Sequence, residues 1–219
     1  MYGYDSAFIG GTISLPPFQS AFGLGSSSAD QIANLSSNIV STFQAGAFFG
    51  CIAGFFSAEI FGRKPVILAS ALVFVIDIVL QLIERIGLLY GRRTLTGLVM
   101  GASSTLIPVY IAECSPAFIR GRLVGIFEIM LQMALVFGFW VNYGVAQNIS
   151  SQGNTQWHVP VAVQFVPAGL LLITMPMFCS ESPRWLVTNN RKAQARKAPS
   201  WVRNLPEDHE YISREIMQI

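Results

Sequence analysis

The stretch Gly91–Arg122, GRRTLTGLVMGASSTLIPVYIAECSPAFIRGR, decides how the chain is to be read. It is one long apolar segment, with two arginines near its start and a charged turn from Glu113 to Arg122 at its end. Gly97 and Gly101 stand four residues apart, so both fall on one face of a helix, where a second helix can approach closely. Arg92 and Arg93 lie inside the apolar segment, and a charge placed there requires a partner, water or a function.

Composition points the same way. The 219 residues are 52% hydrophobic and only 12% charged, whereas soluble domains carry about 25% charged residues. The class is therefore a polytopic membrane protein. A net charge of +2 is spread over turns and a tail and forms no basic face, so no nucleic-acid partner is expected. Cys51, Cys114 and Cys179 sit in or beside apolar runs without metal-ligand spacing and read as small buried hydrophobes. His158 and His209 are isolated, and neither a nucleophile–base set nor a phosphate-binding glycine loop is present. No enzyme activity, metal or cofactor is expected.

The apolar runs predict six spans at about 1–22, 37–58, 65–83, 88–112, 122–146 and 158–179, each near the roughly 20 residues that cross a bilayer. Together they make residues 1–180 one transmembrane bundle, followed by a charged, amphipathic segment over 181–219. Residues 23–36 are polar and serine-rich and read as a loop. Gly46, Gly50 and Gly54 in span 2 form a small-residue stripe for helix packing, and Gly121 with Gly125 repeats that four-residue step at the start of span 5. Asp77 is a lone acid in span 3 to which the sequence assigns no role, and Pro199 is expected to break the first helix of the tail.

Basic residues set the orientation. Arg63 and Lys64, Arg120 and Arg122, and seven more from Arg184 to Arg214 place eleven of the 14 on one side, predicted to be cytoplasmic together with both termini. The sequons at Asn34 and Asn148 then fall on the outer side as possible glycosylation sites.

A family resemblance rests on seven positions. Leu95, Gly97, Leu98, Gly101, Tyr110, Glu113 and Arg120 have the spacing of the signature that sugar porters of the major facilitator superfamily carry from their fourth helix into the next loop. GYD at Gly3–Asp5, FGRK at Phe61–Lys64 and ESPRWL at Glu181–Leu186 resemble the family's helix 1, helix 2–3 loop and helix 6 motifs. GYDSAFIGGTISL at the start and GFWVNYG at Gly138–Gly144 look most like the fungal quinate permease branch. The resemblance implies an all-α membrane protein, the six-helix N-terminal half of a twelve-helix fold. Helix 1 is expected to lack its first turns, because Met1 stands two residues before Gly3.

The same resemblance implies roles. In proton-coupled members the GYD aspartate pairs with a helix 4 arginine, and the matching residues are Asp5 and Arg93; a static ion pair locking two helices is the alternative. Arg92 stands where the family usually has glycine. The position of a sugar-binding glutamine in hexose porters is Glu128 here. Gln132 lies one turn further on the same face, and Asn142 completes a candidate substrate set. Glu128 is also only about 9 Å from Arg122 along a helix, so contact with water near the end of the span explains it as well. Glu59, Arg63, Glu113, Arg120, Glu181 and Arg184 match the charges that form the family's cytoplasmic gate; a solvated rim is the alternative.

The function implied is proton-coupled transport of a quinate- or hexose-like molecule by alternating access, in the plasma membrane. The expected partners are that substrate, protons, the lipid bilayer, and either a missing C-terminal half or a full-length transporter. The alternative is a half-length membrane protein that does not transport but associates with a full-length transporter and modulates it.

Overall fold

The computed structural model describes residues 1–12, 29–82, 86–116, 118–149, 155–203, 206 and 209. The chain runs α1 (Tyr2–Thr12), α2 (Ala29–Phe61), α3 (Arg63–Gln81), α4 (Ile86–Cys114), α5 (Arg120–Asn148), α6 (Thr155–Val163), α7 (Phe165–Phe178), α8 (Pro183–Thr188) and α9 (Lys192–Arg203). Among the described residues there is no strand, and five helical stretches are long and apolar enough to cross a membrane: Asp30–Phe61, Arg63–Gln81, Tyr90–Cys114, Arg120–Asn148 and Gln156–Phe178. The second half of the expected span 1, residues 13–22, lies outside the described residues, as does most of the tail beyond Arg203.

α2 starts at Ala29, well before the apolar run that begins near residue 37. Its first turns are polar, yet Leu35 and Ile39 are buried one turn apart on one face. That stripe is enough to carry the helix through residues assigned above to a loop. At 33 residues α2 is about 50 Å long, more than the roughly 30 Å of hydrocarbon in a bilayer. Asn34 is therefore an exposed residue on a helix.

α2 and α4 form the tightest pair. A Cβ on Gly50 would lie 2.1 Å from the Leu98 carbonyl oxygen, and one on Gly101 would lie 2.1 Å from that of Ala47. The stripes predicted from sequence thus interlock, and the Cys51 thiol donates to the Gly101 carbonyl at 3.3 Å. α1 packs on α5 in the same manner, with Gly3 against Leu131 and Gly138 against Ala7. Gly121 and Gly125 differ: among the described residues nothing lies within 4 Å of a Cβ on either. The spacing identifies a helix face but not whether a neighbour reaches it.

Span 6 is two helices, broken at Gln164. Pro167 causes the break, because it lacks the N–H that would bond the Val163 carbonyl and its ring crowds that carbonyl. The Gln164 N–H turns back to the Val161 carbonyl at 3.1 Å. The Pro160 carbonyl accepts the Tyr4 hydroxyl at 2.9 Å instead, joining α6 to α1.

The main core gathers Tyr4, Ile39, Phe74, Ile78, Met100, Trp157 and Val161 between α1, α2, α3, α4 and α6. α5 is mostly exposed, and Ile129, Met133, Val136, Phe137 and Trp140 present an apolar surface suited to hydrocarbon. In the tail, α9 is continuous through Pro199, contrary to the expected break. Ala195, Ala198 and Pro199 are buried, and Ala195 and Ala198 pack with Trp185 and Leu186 of α8. That packing holds the helix despite the missing backbone donor.

Candidate functional site

The sites are built from polar residues in three places. The first is inside the bundle. Asp5, in the opening turns of α1, and Arg93, near the start of α4, are each 1% exposed. The Arg93 Nη1 donates to the Asp5 carboxylate at 3.3 and 3.5 Å. Among the described residues, Nε and Nη2 of Arg93 have no hydrogen-bond partner. A cavity of about 240 Å³ opens at this pair, lined also by Tyr2, Ser6, Phe43 and Gln44. On the other carboxylate face, Gln164 Nε2 approaches Asp5 Oδ1 at 3.5 Å. Burial makes the pair mutually dependent, since either charge alone would be stranded away from water.

A second cavity, a groove of about 750 Å³, runs between α1, α4 and α5. Glu128 and Gln132 line it, with Tyr2, Ser6, Ser104 and Pro108. The two α5 residues are hydrogen-bonded, Gln132 Nε2 donating to Glu128 Oε1 at 2.9 Å. Asn142 is not part of this group: it is buried, and its Nδ2 donates to the Ala7 carbonyl at 3.4 Å, tying α5 to α1. Tyr2 and Ser6 line both cavities, so one turn of α1 separates the ion pair from the groove. Sequence reasoning missed Tyr2, Ser6 and Ser104, which carry no charge to mark them.

The third group sits where α2, α3, α4 and α8 meet. Arg63 is paired with Glu59 at 2.7 Å and with Glu113 at 3.1 Å. The Glu181 carboxylate accepts the backbone N–H groups of Arg63 at 2.9 Å and Lys64 at 3.1 Å. It therefore caps the first turn of α3, where helix N–H groups are unpaired and negative charge is favoured. Trp185 Nε1 donates to the Glu59 carbonyl at 2.9 Å, and Arg63 Nη1 to that of Ala58 at 3.1 Å, closing the last turn of α2. Ser182 Oγ donates to Glu113 at 2.6 Å, and Lys64 Nζ to the Cys179 carbonyl at 2.6 Å. Of the six charges expected here, Glu59, Arg63, Glu113 and Glu181 are brought together. Arg120 and Arg184 are exposed, and neither enters an ion pair among the described residues.

Gly62 joins the two helices at φ +102°, a conformation open to glycine, and a Cβ there would lie 2.8 Å from Glu181 Oε2. Gly62→Ala is expected to lower stability by about 2–3 kcal/mol, from backbone strain and displacement of the cap together. Denaturant unfolding of the purified chain measures it, and an unchanged midpoint would refute the capping account.

Asn148 is exposed near the end of α5, with its Nδ2 bonded to the Gly144 carbonyl at 2.8 Å.

The family described as Sugar (and other) transporter matches residues 1–219. The chain is 46% identical over 220 residues to a protein named Probable quinate permease from Aspergillus niger, covering 99% of this chain and 40% of that one. It is 44% identical to the Quinate permease of Emericella nidulans, covering 100% of this chain and 41% of the relative. The chain thus spans about two fifths of the length of these relatives. Among solved structures, the partially occluded inward-open xylose transporter XylE from E. coli is similar with a TM-score of 0.80 and 25% identity, over 99% of this chain and 55% of that one. XylE described as a proton:xylose symporter bound to 6-bromo-6-deoxy-D-glucose is similar with a TM-score of 0.80 and 26% identity, over 99% and 49%. These relatives are permeases and transporters, not enzymes. With apolar spans, the buried Asp5–Arg93 pair and a profile match along its whole length, the chain is an integral multi-pass membrane protein of the major facilitator fold and belongs to the sugar (and other) transporter family.

Proposed function

We propose that the chain is the N-terminal six-span half of a proton-coupled transporter for a polyhydroxylated small molecule of the quinate or hexose class. In this reading residues 1–180 form the bundle and 181–219 begin a cytoplasmic linker to a second half. The observation that carries it is the buried Asp5–Arg93 pair bordering a cavity, one helical turn from the groove that holds Glu128 and Gln132. A buried, ionised Asp5 needs a positive neighbour. When Arg93 is drawn away, a proton is the counter-charge left to it. Tyr2 and Ser6 face both cavities, so movement of a ligand in the groove is felt at the pair through α1.

The groove suits a ligand with several hydroxyls. Glu128 accepts, while Gln132, Tyr2, Ser6 and Ser104 can both donate and accept. Substrate binding between two halves, with rocking about the site, would give alternating access. The group around Arg63 would then serve as the inner gate, with Arg63 holding the ends of α2, α3 and α4 together and Glu181 capping α3. The relatives named as quinate permeases favour quinate within this class, and the symporter likeness favours proton coupling.

Uptake of labelled quinate and glucose by cells expressing this chain together with the C-terminal half of a quinate permease tests the reading. Accumulation is expected, and it is expected to collapse when a protonophore removes the pH gradient. Glu128→Ala should raise the half-saturating concentration by about tenfold, or 1.4 kcal/mol. Accumulation indifferent to the gradient would reject proton coupling. Co-purification with a full-length transporter, slowing it without any uptake of its own, would favour the modulator instead.

A further inference from the structure

The bundle holds a second buried acid that the coupling pair does not use. Asp77, on α3, is 0% exposed. Its Oδ2 accepts Gln81 Nε2 at 3.0 Å and lies 2.7 Å from the Thr96 hydroxyl, whose one proton is shared with the Arg92 carbonyl at 2.9 Å. Among the described residues its other oxygen, Oδ1, has no hydrogen-bond partner, and neither has Oε1 of Gln81. With Asp77 ionised, both orphans are acceptors, belonging to two side chains already joined by one bond. Buried acceptors without donors are rare because each loses its water for nothing.

One proton removes both defects. Placed on Oδ1, it turns that oxygen into a donor, and the available acceptor is Gln81 Oε1. The result is the two-bond ring that a carboxylic acid makes with a primary amide, N–H to one oxygen and O–H back to the carbonyl. Gln81 keeps its second N–H outside that ring, and Nε2 is also 3.4 Å from Gln164 Oε1. Gln164, 0% exposed at the break in span 6, in turn directs Nε2 to Asp5 Oδ1 at 3.5 Å. From Gln81 onward the donors run toward Asp5, Gln81 to Gln164 and Gln164 to Asp5.

Complete burial weighs against a carboxylate at Asp77, whereas the guanidiniums of α4 weigh for one. From α4, Arg92 and Arg93 face this region, and Arg93 is already paired with Asp5 of α1. α6 contributes His158, α7 has no ionisable residue, and α2 carries its acids Asp30 and Glu59 near its two ends. Among the described residues Asp77 enters no ion pair. We propose that Asp77 is held as a protonated carboxylic acid in a cyclic pair with Gln81, and that this pair acts as a positioning device, fixing through Gln164 the amide donor presented to Asp5.

The test is infrared spectroscopy of the chain, carboxyl-labelled at aspartate, at neutral pH. A protonated-carboxyl stretch is expected, and Asp77→Asn should abolish it. Because asparagine brings its own N–H to the position of the acid proton, D77N should melt at the native temperature. Gln81→Leu, which cuts the row, should shift the Asp5 carboxylate stretch, whereas D77N should leave it in place. A native spectrum without a protonated band that D77N removes would overturn the proposal. So would a D77N chain that fails to fold or melts several degrees lower, since that marks a lost buried charge. An Asp5 stretch unmoved in Q81L would overturn the positioning role.

Discussion

Replacing Gly101 by leucine is expected to abolish the native packing of α2 on α4. The Cβ alone would sit 2.1 Å from the Ala47 carbonyl oxygen and 2.8 Å from its Cα, all of it backbone that cannot rotate away. Carbon atoms rest about 3.5–4.0 Å apart at their best separation, so the two axes must part by more than an ångström. Gly46, Gly50 and Gly54 meet Thr94, Leu98 and Ala102 along the same seam, so separation at one level forfeits contacts at the others. An ordinary overpacked core loses 1–3 kcal/mol by adjusting side chains. Here no side chain is available to adjust, and a loss of about 4 kcal/mol or more is expected. The readout is thermal melting and monodispersity of the purified chain. Gly125→Leu is the matched control: it makes the same change where nothing lies within 4 Å and should stay within about 0.5 kcal/mol of the native chain. Equal behaviour of the two variants would refute the interlocked seam.

Asp5→Asn should be nearly as damaging, for a different reason. It leaves the Arg93 guanidinium charged and 1% exposed with its carboxylate gone, and breaking a buried pair from one side costs roughly 3–5 kcal/mol. Arg93→Gln should strand Asp5 by a similar amount. The two losses will not add. With both charges gone, the double variant D5N/R93Q has only neutral amides to bury, and most of the stability is expected to return. With single losses of roughly 3–5 kcal/mol each and a double variant that recovers most of them, the interaction free energy from this cycle should reach about 4 kcal/mol or more, above the roughly 0.5–3 kcal/mol usual for residues in one network. Single losses that simply sum would show that the two side chains hold no shared energy in the folded chain.

These expectations rest on features that differ in how they can be read. The Asp5–Arg93 pair was legible because each residue is a charge in an apolar run and the family spacing supplied the partner. Asp77 was equally conspicuous, yet its meaning lies in Gln81, Thr96 and Gln164, of which the last is placed by the break in span 6. A buried glutamine in a span is almost as anomalous as an acid, and weighting Gln81 and Gln164 that way would have flagged the group. The glycine stripes gave the faces of α2 and α4 correctly. The same step at Gly121 and Gly125 meets no neighbour among the described residues, since periodicity reports a face and says nothing of what lies opposite. Hydropathy placed the apolar parts of the spans but cut α2 short, because the polar turns before residue 37 carry only Leu35 as a buried apolar signature. Asn142 was grouped with Glu128 and Gln132 for the donor and acceptor it could offer a ligand, but it sits ten residues beyond Gln132, about 15 Å along the axis, where α1 covers it.

The cap on α3 also has a history in time. Glu181 follows Arg63 by 118 residues, and a ribosome adding about 5–20 residues per second needs roughly 6 to 24 seconds to cover that distance. Throughout that interval the second to fifth spans are already leaving the ribosome, while the amino end of α3 and the carboxyl end of α2 wait without Glu181 and Trp185. The last turn of α2 and the first of α3 can be locked only after both residues have been synthesised. Insertion of the early spans is thus complete before their shared end is fastened, which gives the nascent bundle a period in which register can still be corrected.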